Sequence, residues 1–106
     1  MSTQELNRLL EQRKEELVQL QTGVHKVLRE LRDKFTGKGC TVQLHAEPNS
    51  ISIHVESPKG VLTMYVKVVH WDILYTVRKD NIVVMDGKAI TTEELQEVLG
   101  LLVYVM

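Results

Sequence analysis

The sequence predicts an α+β domain, in which one long N-terminal helix precedes an antiparallel β-meander of about five strands and a short C-terminal helix. Apolar residues recur at steps of three and four through residues 1–37, and they alternate with polar residues through much of 40–86. A third signal, a helix-capping pattern, begins at Thr91. A chain of 106 residues has room for one domain, so we assign residues 1–106 to a single unit.

The long helix is predicted from composition as well as from spacing. Residues 3–36 contain no proline and are rich in Leu, Glu, Gln, Arg and Lys, which all favour helix. Thr3 is the expected N-cap, and Gly37 is the expected helix stop. The apolar positions follow a heptad pattern that Arg13 and Lys34 interrupt, which is typical of a coiled coil or a long bundle helix.

The apolar stripe of this helix is longer than one small sheet can cover. A helix of about 34 residues is about 50 Å long, whereas a compact domain of this size has a radius of gyration near 13 Å. We therefore expect part of the stripe to contact a second subunit or another protein. The uncharged tail 101–106 is expected to dock on the sheet, to pair as a strand or to join that interface. The predicted interface residues are Leu6, Leu10, Leu17, Leu20, Val24, Val27, Leu31, Leu101 and Tyr104.

The strands of 40–86 are predicted from alternation, and their register from the turns between them. A loop at 47–50 pairs Ala46 with Ile51, and a turn at 57–60 pairs Val55 with Leu62. Both pairings place apolar residues side by side on one face. A fourth strand is expected at 73–78 and a fifth at 82–85, with a turn at Asp86-Gly87.

The other face of the sheet is polar in the early strands and apolar in the later ones, so the later strands are expected to need cover on both faces. The apolar residues assigned to this outer face are Val61, Tyr65, Val69, Leu74, Val83 and Met85. The segment 91–106 then forms a helix or a helix with a tail, capped by Thr91 with Glu94 three residues later.

Few residue sets in the chain suggest chemistry. His45 and His54 fall on the polar face of adjacent strands as diagonal neighbours, a spacing that could suit a metal, but no third ligand is obvious. His70 and Asp72 could cooperate as a dyad, yet no serine or cysteine motif accompanies them. Cys40 is expected to be a buried free thiol. We therefore expect no enzyme, no metal site and no cofactor.

Partner contacts are predicted at two further places. The connection that holds the only tryptophan suits a contact site with another protein, because Trp and His anchor interfaces. Its candidate residues are His70, Trp71, Asp72 and, on the neighbouring strand, Tyr65. The second half of the helix is locally basic, and phosphate contacts with nucleic acid would fall on Lys26, Arg29, Arg32, Lys34 and Lys38.

Composition and charge narrow the function classes. The chain has 13 Lys and Arg residues and 14 Asp and Glu residues. It therefore lacks the basic excess that would indicate binding to nucleic acid or to an anionic membrane. One cysteine cannot form an internal disulfide, and no secretory signal or membrane-spanning run is evident, which favours the cytoplasm. The leading hypothesis is a non-enzymatic, homodimeric protein-interaction module, such as an adaptor, inhibitor or regulator. The alternatives are a small nucleic-acid-associated dimer and a small-ligand or metal-binding module.

Overall fold

The chain is described here by a computed structural model, which covers residues 2–105 and confirms the predicted α+β architecture. The five strands form one antiparallel sheet in chain order. A short 3₁₀ helix at Leu101–Tyr104 follows the last α-helix. The other elements are α1 (Thr3–Gly37), β1 (Thr41–Glu47), β2 (Ser50–Ser57), β3 (Gly60–Val69), β4 (Asp72–Lys79), β5 (Ile82–Ala89) and α2 (Thr92–Gly100).

Helix α1 is capped one residue earlier than the sequence predicts. The Ser2 hydroxyl accepts a hydrogen bond from the Glu5 backbone N–H at 3.2 Å, so Ser2 and not Thr3 is the N-cap. The helix ends at Gly37, as predicted. Gly39 follows with a φ of 86°, a conformation that favours glycine, and the chain there turns back towards β1.

The predicted register of the first three strands is confirmed. Ala46 pairs with Ile51, and Val55 pairs with Leu62. The turns are shorter than predicted, since the ladders extend inward on both sides of each turn. An extension that is symmetric about the turn leaves the register unchanged. One face of β1–β3 is therefore continuously apolar.

Strand β5 differs from the prediction in its length and in the side of the sheet on which Met85 lies. It continues through the expected turn at Asp86-Gly87 to Ala89. An irregularity in its pairing with β4 shifts the register, so that Met85 pairs with Val77 and packs against the core instead of facing outward. Gly87 lies opposite Tyr75, and a Cβ at Gly87 would lie 2.6 Å from the Tyr75 hydroxyl oxygen. The glycine is thus needed by the packing of a strand, not by a turn.

The core lies between one face of the sheet and the two α-helices. Helix α1 packs on β1, β2 and β3, and α2 packs on α1 and β5. Val24, Val27 and Leu31 are 1%, 6% and 2% exposed in this core. This finding corrects their assignment to an interface with a partner, because the chain's own sheet covers that half of α1. The fully buried large side chains that surround them include Leu28, Phe35, Ile51, Ile53, Leu62, Met64, Ile73, Leu95 and Leu99.

The first half of α1 extends beyond the sheet. All residues of 3–16, a segment that we call the arm, are exposed. The molecule is accordingly 60 Å along its longest axis but only 23 Å and 20 Å across. Its radius of gyration of 16.0 Å exceeds the value of about 13 Å expected for a compact chain of this size.

The outer face of the sheet and the C-terminal segment complete the fold. Both α-helices pack on the core face, so the expected second cover is not supplied by the described chain, and Tyr65 is 44% exposed on the outer face. The tail docks as a 3₁₀ helix through Leu102, and the Lys38 ammonium donates a hydrogen bond to the Val103 carbonyl. Met106, the end of the predicted tail, lies outside the described residues.

Candidate protein-interaction site

The arm repeats the apolar pattern of the half of α1 that the sheet covers. Eighteen residues make about five turns of an α-helix, so residues that far apart project from the same side. Leu6, Leu9 and Leu10 each precede a core residue by eighteen positions. These core residues are Val24, Val27 and Leu28, in that order. The arm therefore presents leucines on the side where, further along the helix, the sheet lies.

Exposure divides this stripe into three zones. Leu6, Leu9 and Leu10 are 48%, 44% and 52% exposed. Leu17 and Leu20 are partly buried against the edge of the core. The buried residues described above follow. The structure thus leaves four predicted interface residues, Leu6, Leu10, Leu17 and Leu20, on or beside an open surface. We call the surface of Leu6, Leu9, Leu10, Leu17 and Leu20 the arm stripe.

Polar contacts tie α1 to the sheet a few residues after the arm. The Gln21 side-chain amide donates to the Asn49 side-chain oxygen at 2.5 Å, which ties α1 to the β1–β2 turn. The Asn49 carbonyl accepts a hydrogen bond from the Val68 backbone N–H at 2.8 Å, which ties that turn to β3. The end of the sheet from which the arm extends is therefore held to α1 by these two hydrogen bonds.

Arg13 links the arm to the β3–β4 turn. Its guanidinium carbon lies 5.5 Å from the centroid of the Trp71 ring, a cation–π distance, and a nitrogen lies 3.7 Å from a Glu16 carboxylate oxygen. Arg13 interrupts the arm stripe at the position where the core has Leu31.

An open cleft of about 550 Å³ lies at the base of the arm. Leu20, Trp71 and Ile90 supply its apolar wall, and Glu16 and Glu93 lie at its edge. Trp71 is 45% exposed and Ile90 is 75% exposed. Ile90 was not predicted from the sequence, because the turn expected at Asp86-Gly87 would have ended β5 before it reached this place.

The four residues of the other predicted partner contact do not form one site. Trp71 faces the arm, whereas Tyr65 lies on the outer face of the sheet. His70 is exposed in the turn with a φ of 56°, and the Asp72 carboxylate lies 3.8 Å from the Lys88 ammonium. Trp71 is the member of this set that joins the site at the arm.

The two histidines occupy the predicted strand positions but have separate partners. His45 Nε2 lies 3.5 Å from a Glu47 oxygen, and His54 Nε2 lies 3.1 Å from a Glu56 oxygen. His54 Nδ1 also lies 3.3 Å from the Thr63 hydroxyl. Within residues 2–105, no group of three His, Cys, Asp or Glu side chains is placed to hold a metal ion.

The basic residues of the predicted nucleic-acid contact are dispersed. At about 100° per residue, the four helical positions among them cover more than half of the circumference of α1. Arg32 pairs with Asp33 at 3.2 Å, and Lys38 is engaged by the tail. A surface that binds phosphates would need these cations on one side. The residues concerned are Lys26, Arg29, Arg32, Lys34 and Lys38.

Apolar side chains are also exposed elsewhere on the described residues, in two separate groups. The edge strand β5 exposes Ile82, Val83 and Val84, and the C-terminal segment exposes Leu101 and Tyr104, which are 64% and 85% exposed. The register shift in β5 interrupts the edge, which disfavours pairing with another strand. The predicted interface residues of the tail lie near the C-terminal end of α1, about 45 Å from Leu6 along the helix, so they belong to a different surface.

Comparison of the chain with protein families, with curated protein sequences and with solved structures finds no significant match. Among the residues that the structure describes, no helix has both the length and the apolar content needed to cross a membrane.

Proposed function

We propose that the protein is a non-enzymatic protein-interaction module whose binding element is the arm stripe. One observation carries the proposal: a single helical face is buried by the sheet over residues 24–35 and open to solvent over residues 6–10. A contiguous exposed apolar surface rimmed by polar residues is typical of a binding site.

The shape of the site indicates what binds there. A helix that offers apolar residues at steps of three and four is matched by an apolar face of similar width, and another amphipathic helix provides one. The cleft formed by Leu20, Trp71 and Ile90 gives the bound helix an aromatic contact at one end. We therefore propose an amphipathic helix of a protein as the ligand class.

Two finer expectations belong to the same proposal. Self-association of the chain is one. The cytoplasm is the other, and it is supported by the single half-buried cysteine, Cys40, which fits a reducing compartment.

A display experiment tests this function. The chain, immobilised at low density, is used to select from a phage library of amphipathic helical peptides, in parallel with a Leu6→Glu/Leu10→Glu variant. The matched control is Gln4→Glu/Gln12→Glu, which adds the same charge to the opposite side of the arm. Both variants should keep the thermal stability of the dilute parent, because all four side chains are exposed.

The expected result is enrichment of peptides with apolar residues at steps of three and four on the parent and on the control. Their binding to the arm variant should be at least about tenfold weaker. Enrichment that is equal on all three proteins, or absent from the parent, would contradict the proposal.

A further inference from the structure

We propose that the helix bound by the arm stripe is the arm of a second copy of this chain, packed antiparallel. This inference rests on the proposed function and names its partner. Three features support it: the position of the sheet relative to the arm, the spacing of the arm residues and the area that they offer.

The sheet excludes a parallel pair. The arm stripe faces the same side of α1 as the sheet, because it is separated from the core residues by about five full turns. Two packed helices lie 8–10 Å apart, axis to axis. In a parallel pair both sheets would lie between the two α1 helices, beyond the end of the arms, and that space is too narrow for either of them.

An antiparallel pair avoids this clash. The arm of the second copy then lies in the volume that continues the sheet layer beyond its end, and the two sheets lie at opposite ends of the assembly. The overlap extends from Thr3 to Leu20, where the sheet begins, and is about 27 Å long. The second arm takes the place that the sheet occupies over residues 24–35.

The residue spacing fits this arrangement. A two-fold axis at the middle of the overlap, between Glu11 and Gln12, places Leu6 of one copy opposite Leu17 of the other. The same axis places Leu10 opposite Arg13, and Thr3 opposite Leu20. In each pair, one residue occupies the heptad position shared by Thr3, Leu10 and Leu17. The other occupies the position shared by Leu6, Arg13 and Leu20, as helix packing requires. The tip of each arm then reaches the cleft that Trp71 and Ile90 line in the other copy.

The available area fits a second copy as well. From their exposed fractions, Leu6, Leu9, Leu10, Trp71 and Ile90 together leave on the order of 500 Å² of side-chain surface open on each copy. A two-fold pair therefore offers about 1,000 Å², which is the lower limit for a specific interface. An arm pair without the cleft residues would fall short of this limit, so the cleft is part of the proposed interface.

Disulfide trapping tests the pairing and its direction. A chain with Leu6→Cys is mixed with a longer, tagged chain with Leu17→Cys and oxidised gently, and the parent, which retains Cys40, is the control. A disulfide needs Cα atoms within about 7 Å. In the antiparallel pair, two copies of residue 6 are about 16 Å apart along the axis, as are two copies of residue 17.

The expected product is the mixed dimer of the two chains, with little of either homodimer and none from the parent. Two homodimers, joined through residue 6 or through residue 17, would indicate parallel arms and overturn the inference. Because Leu17→Cys touches the core edge, circular dichroism must first show that this variant is folded.

Measurements on the unmodified chain keep the inference testable if that variant does not fold. Light scattering over about a hundredfold concentration range should give twice the 12.2 kDa of the monomer. Small-angle X-ray scattering should give a particle about 90 Å long, because two bodies of 60 Å overlap by about 27 Å. A parallel pair would remain near 60 Å.

A monomeric mass at every concentration would overturn the second copy as partner. That outcome differs from failure of the proposed function, since a monomer whose arm still selects amphipathic peptides would bind a helix of another protein.

Discussion

Leu10 and Leu28 project from the same side of α1, five turns apart, and alanine substitutions at these positions measure what the sheet contributes. Leu28 is 0% exposed, whereas Leu10 is 52% exposed. Leu28→Ala removes buried atoms and leaves a cavity, so we expect a loss of about 2.7–5.0 kcal/mol in the free energy of unfolding. Leu10→Ala removes a half-hydrated side chain and introduces a stronger helix former, so we expect a loss of about 0.5 kcal/mol or less in dilute protein.

Urea unfolding followed by circular dichroism measures this difference. With a denaturant dependence of about 1–3 kcal/mol per molar urea, Leu28→Ala should lower the midpoint by about 1–5 M. Leu10→Ala should shift it by less than about 0.5 M. Because a domain of this size has only about 5–15 kcal/mol of stability, the milder Leu28→Val serves if the alanine variant is unfolded without urea.

Two results would refute the reasoning. Equal midpoint losses for the two alanine variants in dilute protein would mean that the sheet does not distinguish the two halves of α1. If the parent does not gain stability with concentration relative to Leu10→Ala, then no second copy covers Leu10, since association stabilises a protein by mass action.

Three further substitutions test the packing. Gly60→Ala should cost on the order of 1–3 kcal/mol and lower the Tm by several degrees, because φ is 132° there and the added Cβ would lie 2.8 Å from an Asp80 oxygen. Thr91→Ala should cost about 1 kcal/mol, measured by the same melting curve, because it removes the N-cap of α2. Gly23→Ala should destabilise despite the better helix propensity of alanine, because its Cβ would lie 2.8 Å from the Thr92 methyl carbon. Adding Thr92→Ser should reverse that loss, and a double variant no more stable than Gly23→Ala would contradict the assignment.

The sequence predicted the elements and the early register because these depend on local periodicity. Alternation and short turns fixed the pairing of Ala46 with Ile51, and lengthening the ladders did not change it. The prediction of an outward-facing Met85 was wrong because the register shift in β5 follows from packing against β4, which local periodicity does not show. Local periodicity likewise did not show that β5 continues to Ala89, so the place of Ile90 beside the arm was not predicted.

The candidate site was predicted in part for a similar reason. A heptad pattern states which side of a helix is apolar but not which molecule covers it. The pattern grouped Leu10 with Val24, whereas the structure places the first in solvent and the second in the core. The division depends on where the sheet ends along α1, and that is a property of the whole fold.

The leucines of the arm need an explanation that the single chain does not supply. An isolated helical segment of about 14 residues is marginally stable in water, and Glu, Lys or Gln would favour helix nearly as well as Leu at exposed positions. Single exposed leucines are ordinary, but Leu6, Leu9 and Leu10 form one surface that repeats the positions of the core. Such a surface stabilises the molecule only when another apolar surface covers it and removes it from water. In the assembly that we propose, the arm is one half of a packed layer whose other half comes from a second molecule, so that its binding and its own helical stability would be thermodynamically linked.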